Sequence, residues 1–417
     1  MRKKQMARAD VFPIGFWNYC PTAKLGPASV KDWADAGMTL TMSPEFDPRK
    51  DAVKDLRAIL DAAHKRHIRM IVCDARSTWP ALAGGEQAYR DGFAQAVKDF
   101  GSHPAVFGFH VGDEPDAANF DNACRACRIQ KELAPSLTPF LNLLPWFEGV
   151  ETHVGFAKWS HYLDAYVERA KPELLCYDCY AQMNPSPLDG FWGLEMYFAN
   201  LREFQEASAR HGIPFWATLL SVGHFKYRCP REDDLRWQLN TAVAHGAKGL
   251  LWFFFYMRQP HDNYRVAPVD EHWERTETYE WLSRVNRTFL KWHAPVMRTL
   301  ALRKVSHVGR AWGGIPLLDG KGRALAAQAD QPLIVSEFAD PRGRAYVAVV
   351  NNSQAQSTHA TLTVGGVKPR LFRVEWEAVE SEIQAAAGGA SRGDDFARVV
   401  RWLAPGQMEV FRVEDQP

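Results

Sequence analysis

Eight short apolar runs recur along the first two thirds of the chain, each followed by a longer amphipathic stretch. No other feature constrains the fold as much. The runs are Val11 to Trp17, Met38 to Ser43, Arg69 to Asp74, Val106 to Val111, Pro139 to Leu144, Leu174 to Asp178, Pro214 to Leu219 and Gly249 to Phe254. Their spacing stays close to one βα unit of ~30 residues. Between them, Asp51 to His67, Gln87 to Phe100, Gly193 to His211 and Glu232 to His245 carry apolar residues at three- and four-residue intervals, the period of a helix buried on one face. Gly212 and Gly246 stand where helix C-termini take a left-handed residue. A last helix is predicted over Thr276 to Trp292. An open doubly wound sheet would carry a glycine-rich phosphate loop after its first strand, but Asn18-Tyr19-Cys20-Pro21 has none. The pattern therefore predicts an α/β fold, a (β/α)8 TIM barrel over residues 1–302.

From about Arg303 the character changes to short alternating stretches with turn residues between them: Leu333 to Phe338, Ala345 to Asn351, Ala360 to Val364, Arg370 to Glu375 and Met408 to Val413. This predicts a C-terminal β-sandwich over 303–417, with a loop at Ala385 to Asp395. The 417 residues suit one barrel of ~250 residues plus a smaller domain.

The net charge is +1 and the Lys and Arg residues are scattered, so no basic stripe exists for nucleic acid or an anionic membrane. A neutral partner is favoured. No run approaches the ~18 apolar residues of a membrane span. Met1 to Arg8 is basic but leads into no apolar signal-peptide core, and seven cysteines form no disulfide framework, so a reduced, cytoplasmic setting is expected for the sequence as it stands, and a secreted or periplasmic one if a signal has been removed. The sequence specifies no oligomeric state.

In a barrel of this kind the chemistry sits at the C-terminal ends of the strands. Strand four ends in Gly112-Asp113-Glu114-Pro115, two adjacent carboxylates, and strand six in Tyr177-Asp178-Cys179-Tyr180. Strand three ends in Asp74, strand five leads to Asn142 and Trp146, and strand eight carries Trp252 and Tyr256. Strand seven is followed by Leu220-Ser221-Val222-Gly223-His224, with no carboxylate before Glu232. A double displacement between acids on strands four and seven therefore lacks one partner. A 2-acetamido sugar removes the need for it, because its carbonyl oxygen can attack its own anomeric carbon. Glu114 is then the expected general acid and base, and Asp113 the acceptor of the acetamide N–H.

Val111-Gly112-Asp113-Glu114-Pro115 resembles the strand-four Asp-Glu pair of the substrate-assisted β-N-acetylhexosaminidases, glycoside hydrolase families 20 and 123. The Asp-Glu-Pro form is most similar to the family 123 β-N-acetylgalactosaminidases. The resemblance implies an exo-acting enzyme for terminal β-linked N-acetylgalactosamine or N-acetylglucosamine, with a β-rich accessory domain and no metal or other cofactor.

The expected site thus comprises Asp113 and Glu114 as catalytic groups, with Asn142, Asp178, Tyr180, Tyr177, Trp252, Trp146, Asp74 and Tyr256 contacting substrate. Strand alternation favours Asp178 and Tyr180 over Tyr177. Trp252, in the middle of strand eight, is the first candidate to line the sugar pocket, whereas Trp17 and Trp216 are expected in the core. Three competing readings remain. Asp113 and Glu114 could cap the next helix, Asp178 could partner Glu114 in a two-carboxylate hydrolysis, or the barrel could bind sugar without cleaving it. Cys124/Cys127 and Cys176/Cys179 have zinc-like spacing, but neither pair has a knuckle turn, and on a strand that spacing points the thiols to opposite faces.

Overall fold

A computed structural model describes residues 11–184, 193–258, 263–384 and 389–416. The basic start at Met1 to Arg8, and the first part of the loop expected at Ala385 to Asp395, lie outside the described residues.

Eight parallel strands follow one another with helices between them. They are β1 (Ile14–Phe16), β2 (Leu40–Phe46), β3 (Arg69–Asp74), β4 (Val106–Asp113), β5 (Thr138–Asn142), β6 (Leu175–Asp178), β7 (Phe215–Leu220) and β8 (Leu250–Phe253). The main connecting helices are α1 (Val30–Asp35), α2 (Val53–Lys65), α3 (Glu86–Ala96), α4 (Phe120–Leu133), α5 (Trp159–Ala170), α6 (Leu194–His211) and α7 (Glu232–Ala244), and α8 (Glu277–Trp292) follows β8. Each predicted run coincides with a strand to within a few residues.

The strands form two four-stranded sheets, ordered β1-β8-β7-β6 and β2-β3-β4-β5. Backbone bonds link the sheets at both margins: Thr39 N–H donates to Ile14 O (2.8 Å), and Leu143 N–H to Cys176 O (2.8 Å). Alternation along the strands sorts side chains into two layers. In β8, Leu251 belongs to an inner cluster with Trp17, Ile71, Phe140, Cys176 and Trp216, while Leu250 and Trp252 join the larger cluster under the helices.

One irregularity matters for the site. The register of β4 against β5 shifts between His110 and Gly112, so that Asp113 stands opposite Asn142. Without the extra residue Asp113 would follow Val111, which packs under the helices. The shift turns its carboxylate inward instead.

Beyond α8 the chain is antiparallel. β9 (Ala301–Val308), β10 (Ala324–Gln328), β11 (Leu333–Ala339), β12 (Ala345–Asn351), β13 (Thr358–Gly365), β14 (Arg370–Val374), β15 (Glu380–Glu382), β16 (Ser391–Arg392), β17 (Phe396–Leu403) and β18 (Met408–Glu414) make one six-stranded and one four-stranded sheet. The two sheets share an apolar cluster that includes Val335, Val347, Leu362 and Val399. Sequence reading missed β9, β10 and β15 to β17. β10 is largely exposed, and in β17 Arg401 takes the inward parity between Val399 and Leu403, which hides the period of two. The antiparallel part is tied to α7 by Trp237 Nε1 donating to Asn352 Oδ1 (2.9 Å) and Asn240 Nδ2 to Gly406 O (2.8 Å).

Candidate active site

At the C-terminal ends of the strands a cavity of about 310 Å³ gathers Asp113, Glu114, Asn142, Asp178, Tyr180 and His224. That is enough for one sugar ring, at the low end of small-molecule pockets. Among the described residues its lining runs from Trp17 to Phe253.

The backbone after β4 is held in an unusual shape. Gly112 has φ +151°, and a Cβ there would come within 1.8 Å of the Trp79 ring. Only glycine fits. Glu114 itself has φ +47°, a left-handed conformation that costs a non-glycine residue roughly 1–2 kcal/mol. Its N–H donates to Asn142 O (2.9 Å), which helps to hold that conformation. Strained residues of this kind concentrate at functional sites.

Asn142 organises the carboxylates with its side chain as well. Its Nδ2 donates both hydrogens, to Asp113 Oδ1 (3.0 Å) and to Asp178 Oδ1 (2.7 Å). Glu114 is hydrogen-bonded to Asp178, which also accepts from Tyr180. Three acids thus crowd into one buried site. Burial raises the Glu114 carboxyl far above the ordinary range, and the negative charges of Asp178 and Asp113 raise it further. Asp113 is raised by burial and by Asp178, against the opposing bond from Asn142. Asp178 is raised by burial too, but the bonds it accepts from Asn142, Glu114 and Tyr180 all favour its ionised form. These directions assign the shared proton: Glu114 carries it and donates to an ionised Asp178. A carboxylic acid kept protonated near neutrality is what a general acid requires.

Much of the remaining wall is aromatic. Tyr180 stacks on Phe253 (centroids 5.2 Å apart), Tyr227 meets Tyr180 edge-on (5.9 Å), and His224 packs against both Tyr180 and Tyr227. Tyr19, just after β1, completes the rim, with the Arg258 guanidinium over its ring at 4.3 Å. Tyr19, His224, Tyr227 and Phe253 were not singled out from the sequence. Tyr19 lies two residues past the first apolar run and His224 five past the seventh, so a wider search of the strand ends would have reached them.

The structure brings Asp113, Glu114, Asn142, Asp178 and Tyr180 together and separates the remaining candidates from them. Trp252 is fully buried beneath the helices and donates to Asn286 Oδ1 of α8 (3.0 Å), so it does not line the pocket. The parity of β8 puts Leu251 and Phe253 inside and Trp252 outside. Tyr177 also faces outward, its ring stacked on Phe204 of α6 at 3.9 Å. Tyr256 accepts a hydrogen bond from Trp33 Nε1 (2.6 Å) in the same outer layer. Trp146 packs at the margin, its backbone paired with the Asn200 amide, and its neighbours Pro145 and Phe147 form the pocket wall in its place. Asp74 places both oxygens on Arg76 (2.7 and 2.9 Å), and Arg76 reaches on to Asp99. That carboxylate braces the β3 loop.

Among the described residues, no group of three or more His, Cys, Asp or Glu is placed to hold a metal ion, and all seven cysteines are free thiols. No described helix is long and apolar enough to cross a membrane.

No protein-family model matches the sequence, and no curated protein matches it significantly. Solved structures do resemble it in three dimensions. A family 39 glycoside hydrolase from Bacteroides cellulosilyticus WH2 superposes with a TM-score of 0.54 at 13% identity, over 98% of this chain and 82% of that one. A cold-adapted β-galactosidase from Rahnella sp. R3 gives 0.53 at 12% identity, over 71% of this chain and 58% of that one. At such identities the likeness is one of fold.

Proposed function

We propose that this chain is a glycoside hydrolase that removes a terminal β-linked 2-acetamido sugar, N-acetylgalactosamine or N-acetylglucosamine, with the substrate's own acetamide as nucleophile. The strands are taken as a closed (β/α)8 ring with the antiparallel part as an accessory domain. The proteins that share the fold carry glycoside hydrolase names, which agrees with the reaction class. One observation carries the mechanism: Asp113 and Glu114 stand side by side in the pocket, with burial and the neighbouring acids raising Glu114, while the end of β7 offers no carboxylate. Asp178 is a poor substitute nucleophile. It lies at hydrogen-bond distance from Glu114, closer than the ~5–5.5 Å that separates acid and nucleophile in retaining double displacement.

In the first step the acetamide carbonyl oxygen bonds to the anomeric carbon as the bond to the leaving oxygen breaks. Glu114 transfers its proton to that oxygen. Asp113 accepts the acetamide N–H and offsets the positive charge of the oxazolinium ring. In the second step Glu114, now a carboxylate, takes a proton from water. The resulting hydroxyl bonds to the anomeric carbon, the ring opens, and configuration is retained overall. Asp178 and Asn142 hold the two acids in place, and Tyr180, Tyr227 and Phe253 offer apolar surface to the sugar.

Hydrolysis of p-nitrophenyl N-acetyl-β-D-galactosaminide and N-acetyl-β-D-glucosaminide tests the proposal, together with inhibition by a thiazoline analogue of the intermediate. Glu114→Gln is expected to lower kcat ~10²–10⁴-fold on natural linkages. Equal turnover of sugars lacking the acetamido group, with no thiazoline inhibition, would refute it.

A further inference from the structure

A second cavity, of about 510 Å³, opens beside the acid site among the ends of β1, β2 and β3. Trp17 and Tyr19 belong to the walls of both cavities, their rings stacked at 6.0 Å and inclined by 24°, so the two spaces are neighbours across one aromatic partition. No step of the proposed reaction uses the second cavity.

Its polar groups are of a particular kind. Asn18 is 3% exposed, and its Oδ1 accepts the Cys20 N–H (3.0 Å). Its Nδ2, which the amide plane aims the other way, has no hydrogen-bond partner among the described residues. An unmet buried donor is costly, so one held in a cavity wall is a ready contact for a ligand oxygen. His110, from the middle of β4, bonds through its ring to the Gly112 backbone, and its buried Nε2 likewise has no partner among the described residues. Burial holds this imidazole neutral, so the free nitrogen is an acceptor. Glu45 adds an exposed carboxylate at the end of β2, facing the charges of Arg258 and Lys50. The other carboxylates of the lining are engaged, Asp47 by Arg49, Asp51 by the Asp47 N–H and Asp74 by Arg76.

A fixed donor, a fixed acceptor and a carboxylate beside an aromatic wall match a ring bearing several hydroxyls, because each hydroxyl both donates and accepts. They fit an anionic group poorly. We infer that this cavity binds the second, uncharged sugar unit of the substrate, the leaving-group unit of an exo-acting enzyme, through Asn18, His110 and Glu45. The inference rests on the proposed glycosidase reading and extends it: the substrate is an oligosaccharide, and a lone glycoside uses only half of the site.

Two variants separate the cavity from the chemistry. Ala75 lies exposed in the cavity wall, and Ala75→Trp fills the space from the surface side. Glu45→Gln removes the carboxylate and keeps its shape. Binding is measured by calorimetry in a Glu114→Gln background. The probes are N,N′-diacetylchitobiose and N-acetyl-β-D-galactosaminyl-(1→4)-D-galactose, each against its terminal monosaccharide. A disaccharide is expected to bind at least about tenfold tighter than its monosaccharide, the worth of one or two good hydrogen bonds. Ala75→Trp is expected to abolish that advantage and Glu45→Gln to reduce it severalfold. Equal affinity for both sugars, an advantage that survives Ala75→Trp, or no binding of either sugar overturns the inference. The two proposals fail separately. Turnover of aryl glycosides with equal mono- and disaccharide affinity removes the subsite and keeps the catalytic reading. The expected binding pattern without turnover of any acetamido glycoside by the wild-type protein does the reverse.

Discussion

Replacing Asp178 by asparagine is expected to lower the pKa of Glu114 and to move the alkaline limb of the pH–rate profile toward neutrality. Glu114 must hold its proton to act as the acid, so kcat/KM falls as pH rises through its pKa. Asp178 contributes to that pKa in two ways: its charge opposes ionisation of Glu114, and it accepts the hydrogen bond that only protonated Glu114 can donate. Two charges about 4 Å apart at an effective dielectric constant of about 20 repel by roughly 4 kcal/mol. At 1.36 kcal/mol per unit that is about three pKa units, and the new amide, which can donate to an ionised Glu114, acts in the same direction. Asparagine keeps an oxygen to accept from Asn142 Nδ2, so the framework has a route to stay intact. The assay is kcat/KM against pH for wild type and Asp178→Asn, with far-UV circular dichroism as the fold control. A shift of the alkaline limb down by at least one unit is the expected result. A limb that stays in place, or moves up, would refute the assignment of the shared proton to Glu114.

Three further outcomes follow from the same contacts. Because the Glu114 carboxyl is raised, the folded state holds more protons than the unfolded one, and stability declines as pH rises from the unfolded pKa toward the folded value. Glu114→Gln should therefore be more stable than wild type in denaturant titrations at pH 8, with the difference vanishing near pH 4. Trp252→Phe leaves Asn286 Oδ1 buried without its donor and should cost about 1–3 kcal/mol while leaving KM unchanged; a raised KM would return Trp252 to the pocket. Gly112→Ala forces a Cβ into the Trp79 ring and should cost about 1–3 kcal/mol and lower kcat ~10²-fold by displacing the two acids, as thermal unfolding and turnover would show.

The strand and helix periods were strong enough to place all eight strands of the parallel part and the helices α2, α3, α6, α7 and α8, because a βα unit buries its strand on both faces and one stripe of its helix. They were weaker where burial is weaker. β10 and β17 have too many exposed or charged positions to show an alternation, although Val399 and Leu403 still reach the core of the antiparallel part.

The sequence by itself pointed to the strand ends and put Asp113, Glu114, Asn142, Asp178 and Tyr180 among its candidates, alongside Tyr177, Trp252, Trp146, Asp74 and Tyr256. Chain order and the missing acid after strand seven sufficed for that. Which side of the sheet each residue faces was decided only in the tertiary structure. The register shift at Gly112 turns Asp113 inward, while unbroken alternation in β8 sends Trp252 out to Asn286. The protonation of the site was equally invisible, since it depends on three acids from β4 and β6 meeting around one amide from β5. A side chain's neighbours across a sheet are separated from it by a helix and a turn in sequence. Their charge and burial, which set its pKa, exist only once the strands lie side by side.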